Sequence, residues 1–470
     1  MLRRNLIYTF SGEAVSKTLI FVVFIHLAKI LGPLDYGYFN LALTFYLMGR
    51  TISHNSLDMH GVRLLSPLKE RVEINRVLSD VNAVRLVFAL VISLLAITAV
   101  LVLYRDFRVR WICIGFSICF IASTFLNEWF FNGLQRMFYS ALSQVGIWGM
   151  FLISVFLLPK KVIYLSLPLV FFSSIMLVAV VMNLFILKLV GKFRYNFDFK
   201  QMKSLFVDTG YINLVNIFGY LTNTIGVFIL SFSDDSSALG YYSVALQICS
   251  MFILAGSLIY RVTLPHLNRI YQVSESDFSS KVVFITKYLG FIAVLVVFYL
   301  MSYSRIFIAR FLGERYLEVI PIIKVLCLIV FFGYFMMGFF QGLFILGKDK
   351  LLMYIYLFQM VVTFVLAVIL FKYLGPFGIP VSLVISYSIG FVVFLVSFYK
   401  ANPFDYSHII KEIVLGAVSF YVVYICFFGN IPMVFAVVFP VGYFALCVIF
   451  KVVNLLDIKT ILRRSVLINQ

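Results

Sequence analysis

The ionisable side chains inside apolar stretches are where this 470-residue sequence could do chemistry. A charge held in hydrocarbon costs several kcal/mol unless it is paired, reaches the interface or faces water. Glu13 and Lys17 stand four residues apart, so one face of a helix carries both. Arg50 falls at a similar depth on the next predicted helix. Two readings stand. Glu13 neutralises Lys17 or Arg50 and ties two helices together, or the excess cation faces a cavity suited to an anionic group. Arg261 closes a later helix, either as an interfacial anchor or as a further cation of that cavity. Lys29, Arg85 and Lys287 fall near predicted helix ends and read as snorkelling side chains; Lys324 fits either role.

Polar stripes accompany these charges. Thr209, Asn213, Asn216, Tyr220 and Asn223 recur at spacings of 4, 3, 4 and 3, which is one helical face. Ser243, Gln247, Ser250, Ser257 and Arg261 form a second stripe on the following helix. Such stripes either join helices through Ser, Thr, Asn and Gln hydrogen bonds or line a hydrated cavity. Their length on two successive helices favours the cavity, with Asn213, Asn216, Tyr220, Asn223 and Gln247 joining Lys17, Arg50 and Arg261 as candidate substrate contacts. Glu13, Asp58, Glu128 and Asp208 are the candidate ion-coupling carboxylates. The last three fall near helix ends, where ordinary solvated carboxylates also occur.

No nucleophile–base pair, phosphate-cradling glycine loop or metal-ligand spacing is legible, so neither a catalytic residue, a bound metal nor ATP-driven transport by this chain alone is expected. The six cysteines, Cys113, Cys119, Cys249, Cys327, Cys426 and Cys447, sit in apolar runs without a C-x-x-C and read as packing residues.

The elements that must position these groups are membrane helices. The chain is 63% hydrophobic and 12% charged, against about 25% charged in soluble domains. Runs such as Leu86–Tyr104 and Leu351–Phe371 have the roughly 20-residue length of a bilayer crossing. The expected fold is an all-α polytopic bundle of fourteen helices at 9–30, 36–57, 82–104, 111–131, 139–158, 163–187, 206–230, 239–260, 284–302, 318–345, 351–372, 377–399, 411–428 and 431–451. The net charge of +18 sits in short links, so it reads as positive-inside bias and lipid contact and implies no nucleic-acid partner. With the N-terminus inside, the inner links and termini hold 23 Lys and Arg and the outer links hold 9. Both termini are therefore expected in the cytoplasm, although Arg105–Arg110 runs against the bias.

No link is long enough for a separate catalytic domain. Gly37-Tyr38-Phe39-Asn40-Leu41-Ala42-Leu43 and Gly240-Tyr241-Tyr242-Ser243-Val244-Ala245-Leu246 open helices six crossings apart. An even offset preserves orientation, so a parallel repeat of six-helix lobes is expected, as in some transporters. The lobes are placed at 1–190 and 206–400, joined by a basic cytoplasmic link at 191–205 and followed by two extra helices and a basic tail at 401–470.

Leu31-Gly32-Pro33-Leu34-Asp35-Tyr36-Gly37-Tyr38 resembles the first interhelical turn of the polysaccharide-unit (O-antigen, Wzx-type) flippases of the multidrug/oligosaccharidyl-lipid/polysaccharide exporter superfamily. Glu128 to Arg136, Phe311 to Tyr316 and Leu346 to Lys350 are similar to later links of that family, in order. The resemblance implies two lobes around a central cavity and alternating access. It also implies transfer of a polyprenyl-pyrophosphate-linked oligosaccharide from the inner to the outer leaflet of a bacterial cytoplasmic membrane. It places Lys17, Arg50 and Arg261 among the cavity cations and Glu13 beside a coupling or counter-ion site. It requires no cofactor, expects a proton or sodium gradient as the driving force, and suggests membrane lipid, a polysaccharide polymerase and chain-length proteins as partners. A cation-coupled drug or small-molecule antiporter of the same superfamily is the rival, although it calls for an acidic cavity. A membrane polymerase or ligase acting on lipid-linked sugars calls for a large loop that the sequence lacks.

Overall fold

A computed structural model of the chain describes residues 2–68, 70–191, 210–235, 237–403, 407, 411, 414–416 and 435–449. Those residues hold fourteen α-helices. They are α1 (Leu2–Ser53), α2 (Asn55–Leu65), α3 (Arg71–Leu103), α4 (Phe107–Ser123), α5 (Glu128–Gly133), α6 (Met137–Leu157) and α7 (Ile163–Val190), then α8 (Gly210–Leu230), α9 (Ala238–Val273), α10 (Glu275–Phe311), α11 (Val319–Ile345), α12 (Asp349–Leu374), α13 (Gly378–Ala401) and α14 (Phe435–Ile449). Ten stretches are long and apolar enough to cross a membrane. Two of them, Ser11–Ser53 and Asp349–Ala401, each contain two of the predicted crossings, so all of the first twelve predicted helices are accounted for. The chain is a multi-pass membrane protein.

The boundaries differ from the sequence reading in instructive places. The first two predicted helices run together as α1, broken only where Gly32 takes φ 74° ahead of Pro33. Glycine reaches that backbone region without a Cβ clash, and proline cannot donate the helical hydrogen bond there. The expected link between 57 and 81 is instead the short α2 followed by the first turns of α3. Similarly, the expected link at 261–283 is helical, as the end of α9 and the start of α10. Polar residues hid these segments because a helix leaving the bilayer keeps its backbone bonds while changing its surface. The predicted fourth helix is split into α4 and α5 by a break at 124–127. Of the thirteenth predicted helix only residues 411 and 414–416 are described, and the basic link at 191–205 lies outside the described residues except for Gly191.

The chain forms two compact units. The first comprises Met1–Val244, Phe311–Arg315 and Tyr356–Phe371; the second comprises Ala245–Arg310, Tyr316–Ile355 and Lys372–Gln470. In the first, α1 packs on α4, α6 and α8. A Cβ added at Gly12 would sit 3.1 Å from the Ala141 Cα, the close backbone approach that small residues allow between membrane helices. Phe116, Phe151 and Phe171 are fully buried at its centre, with Phe116 stacked on Phe171 at 5.2 Å. In the second unit α11 packs on α13, and α14 docks on α10 through Phe298 stacked on Phe439 at 3.8 Å.

The two repeat motifs meet inside the first unit. A Cβ on Gly37 would lie 2.8 Å from the Gly240 nitrogen, and one on Gly240 would overlap the Pro33 carbonyl. The turn entering α9 therefore rests on the α1 kink, backbone against backbone. Nearby, the Tyr104 and Ser231 hydroxyls share a 2.6 Å hydrogen bond, and Arg108 donates to both oxygens of Asp35 at 2.6 Å.

Candidate functional site

A connected group of buried charges lies in the first unit, where α1, α2, α3 and the α4–α5 break converge. Arg85, on α3, is 1% exposed. Its Nε lies 3.4 Å from Asp58 Oδ1 on α2. Its Nη1 donates to Asn82 Oδ1 at 3.4 Å and its Nη2 to the Leu126 carbonyl at 3.3 Å. Arg85 thus ties three segments, and its long side chain satisfies a carbonyl that the helix break leaves without a helical donor. The same break is held from α7, where Asn183 donates to the Phe125 carbonyl at 3.0 Å and accepts from Asn127 at 3.0 Å. A non-helical backbone at membrane depth needs such partners, because hydrocarbon offers none.

Arg50, near the end of α1, interacts electrostatically with Tyr46, Glu128 and Asp58. Glu128, at the start of α5, accepts from the Ser143 hydroxyl at 3.0 Å. His54, between α1 and α2, is buried, and its Nδ1 pairs with the Ser53 hydroxyl. Burial, reinforced by Arg85 and Arg50, holds its imidazole well below the ordinary histidine range. Asp58 lies just past the apolar stretch that ends at Ser53, and 28% of its side chain is exposed. Burial still pushes its carboxyl above the ordinary range, with Arg85 and Arg50 acting in the opposite direction. The two guanidiniums soften the desolvation penalty without cancelling it.

Three of the sequence-predicted residues, Arg50, Asp58 and Glu128, therefore fall into one network. Glu13 is half-buried and Lys17 exposed on the first arm of α1. Along α8, Asn213 is buried and Asn216 half-buried. The Tyr220 hydroxyl donates to the Thr44 carbonyl of α1 at 3.0 Å, and Asn223 donates to the Gly219 carbonyl of its own helix at 2.9 Å. Part of that stripe thus engages backbone rather than open space. Gln247 is half-buried on α9, in the second unit; Arg261 lies on the same helix, its side chain outside the described residues. Asp208 lies outside the described residues. Among the described residues no group of three His, Cys, Asp or Glu gathers as a metal site.

Arg85 is a correction. Read as a snorkelling residue, it is fully buried and ion-paired, because α3 begins at Arg71 and not at 82. That extension puts Arg85 about four turns inside the helix. The signal was present in Arg76 and Asp80, an i, i+4 pair 4.0 Å apart on the same helix, which extends the helical pattern back before residue 82.

A family profile described as polysaccharide biosynthesis protein matches residues 2–271, more than half of the chain. The chain belongs to that family. A search of curated proteins finds no match to the sequence. Among solved structures, this polysaccharide biosynthesis protein resembles the lipid II flippase MurJ in an inward closed conformation. The TM-score is 0.74 at 14% identity, covering 96% of this chain and 99% of that one. It also resembles an inward-facing multidrug resistance MATE family transporter of the MOP superfamily, with TM-score 0.67 and 12% identity over 84% and 98% of the two chains. A MOP superfamily transporter from Pyrococcus furiosus matches with TM-score 0.56 and 13% identity over 84% and 94%. At these identities the likeness establishes a shared fold.

Proposed function

We propose that this polysaccharide biosynthesis family member is a flippase. It moves a polyprenyl-pyrophosphate-linked oligosaccharide from the inner to the outer leaflet of a bacterial cytoplasmic membrane by alternating access, with both termini in the cytoplasm. The observation that carries the reading is the pair of intramembrane arginines, Arg50 and Arg85, placed by the first unit of a lipid-flippase-like fold. A sugar head group is too polar to cross lipid unaided, while a polyprenyl tail stays in the bilayer. Cations at membrane depth lower the barrier for the pyrophosphate without covalent chemistry. In this reading Lys17, Arg50 and Arg261 contact the anion, Asn213, Asn216, Tyr220, Asn223 and Gln247 contact the sugars, and Glu13, Asp58, Glu128 and Asp208 couple transport to a proton or sodium gradient. A polymerase and chain-length proteins act on the delivered unit. The likeness to multidrug transporters supports a second reading, a cation-coupled antiporter.

The test is removal of the chain from its host and location of the lipid-linked sugar. Retention on the inner face supports flipping. Unpolymerised units on the outer face would instead favour a polymerase, and unchanged sugars with altered drug resistance the antiporter. Arg50→Ala and Lys17→Ala are expected to abolish surface glycan while the protein still inserts. Full glycan in both variants would remove those residues from the mechanism.

A further inference from the structure

The charges around Arg85 balance as they stand. Two guanidiniums, Arg50 and Arg85, face two carboxylates, Asp58 and Glu128. A site without net charge has little pull on an anion. The two carboxylates are not equivalent, however. Glu128 accepts a hydrogen bond from Ser143 at 3.0 Å. Asp58 Oδ1 is buried and receives no hydrogen bond, although Arg85 Nε is 3.4 Å away. The rest of the Asp58 side chain reaches the surface, so water and protons have a route to it.

We propose that Asp58 is an internal anion that occupies the Arg50–Arg85 pair in the resting protein, and that proton uptake by Asp58 frees the pair for a phosphate-type anion from outside. The inference deepens the transport reading and rests on it for its place in a cycle, but the switch itself needs no transport. Neutralising Asp58 leaves two cations, buried Arg85 and half-buried Arg50, against one carboxylate. An uncompensated buried charge is costly, and an incoming anion relieves it. Proton and anion binding are then positively linked, each strengthening the other by the same factor.

Asp58 stands among several charged or titratable groups, and its own helix also carries His60 and Arg63. Arg50 faces it from α1, Arg85 from α3 and Glu128 from α5, with His54 at the head of α2. The remaining helix packed on α2 is α8, which carries no charged residue. The upward displacement of the Asp58 carboxyl by burial puts its proton exchange above the ordinary aspartate value of about 3.9, and His54 is held neutral.

The test uses purified full-length protein in nanodiscs of neutral lipid, with inorganic sulfate as the probe. Sulfate keeps its double charge between about pH 5.5 and 8, so any pH dependence belongs to the protein. Sulfate is expected to bind about tenfold more tightly at the acid end. Asp58→Asn should bind tightly at both ends, Glu128→Gln should retain the pH dependence, and Arg50→Gln should bind weakly throughout. Should Asp58→Asn fail to fold, the unsubstituted protein still decides the matter. In weakly buffered solution, within the pH range over which the affinity changes, sulfate addition should draw protons from the medium. Sulfate binding without proton uptake, binding independent of pH, or flattening by Glu128→Gln in place of Asp58→Asn would overturn the proposal. Linked sulfate binding in a chain that moves no lipid-linked sugar would instead sink the transport reading and leave the switch standing.

Discussion

Gly240→Ala tests how closely the two repeat motifs are fitted. The added methyl would overlap the Pro33 carbonyl oxygen and lie 2.5 Å from its carbon and 2.9 Å from the Pro33 Cα. All three are backbone atoms, so no rotamer change relieves the clash. Bringing the carbon contact from 2.5 Å out to an ordinary 3.4 Å separates the α1 kink from the start of α9 by at least about 0.9 Å, and the overlapping oxygen demands more. Overpacking of this kind costs about 1–3 kcal/mol. The expected result in the purified protein is a lower unfolding midpoint and faster amide exchange over residues 33–42 and 238–246, by roughly 5- to 150-fold if the full cost falls on local opening. Gly37→Ala should act more mildly, since its methyl meets the Gly240 nitrogen at 2.8 Å and a movable Leu239 side chain at 3.1 Å. Gly32→Ala makes no clash within 4 Å, so any cost there comes from φ 74° alone. Wild-type exchange and midpoint in Gly240→Ala would refute the close backbone contact.

Arg85→Ala leaves Asp58 and the Leu126 carbonyl without their guanidinium. Its cost should fall toward the low end of the ~3–5 kcal/mol typical of a broken buried pair, because part of Asp58 is exposed. Arg85→Met with Asp58→Asn should recover much of that loss in a denaturation series. Asp58 also gives stability a pH dependence. Its folded-state carboxyl titrates above the ordinary value, so its contribution is complete below about pH 3.9 and is lost as pH rises through the folded value. The difference in midpoint between the unsubstituted protein and Asp58→Asn should change in that window, and a constant difference would contradict the assignment. Asp35→Asn should cost no more than about 1 kcal/mol, since Arg108 is 47% exposed and its pair is screened by solvent. A double-mutant cycle with Arg108→Gln measures it.

The membrane bundle was legible in the sequence because hydrocarbon permits few backbone solutions. Apolar runs of crossing length located the first twelve helices, and the link expected between the first two falls at Gly32-Pro33, where the structure has a kink within one long helix. The paired Gly-Tyr motifs were visible too, although the sequence could not reveal that they touch. What failed were the helix ends beyond the bilayer. There α2 and the first turns of α3 are polar and read as a link, and the misplaced start of α3 made Arg85 look interfacial.

The tertiary structure alone decided which charges face one another. Glu13 and Lys17 are neighbours by helical spacing, but Arg50, Asp58, Arg85 and Glu128 come from four helices and meet only when α1, α2, α3 and α5 pack. Periodicity assigns a residue to a face of its own helix and says nothing about which helix covers that face. The length and apolarity of a crossing are properties of one segment, so the sequence determines them. The partner of a buried charge is set by the packing of several segments, and only the fold supplies that.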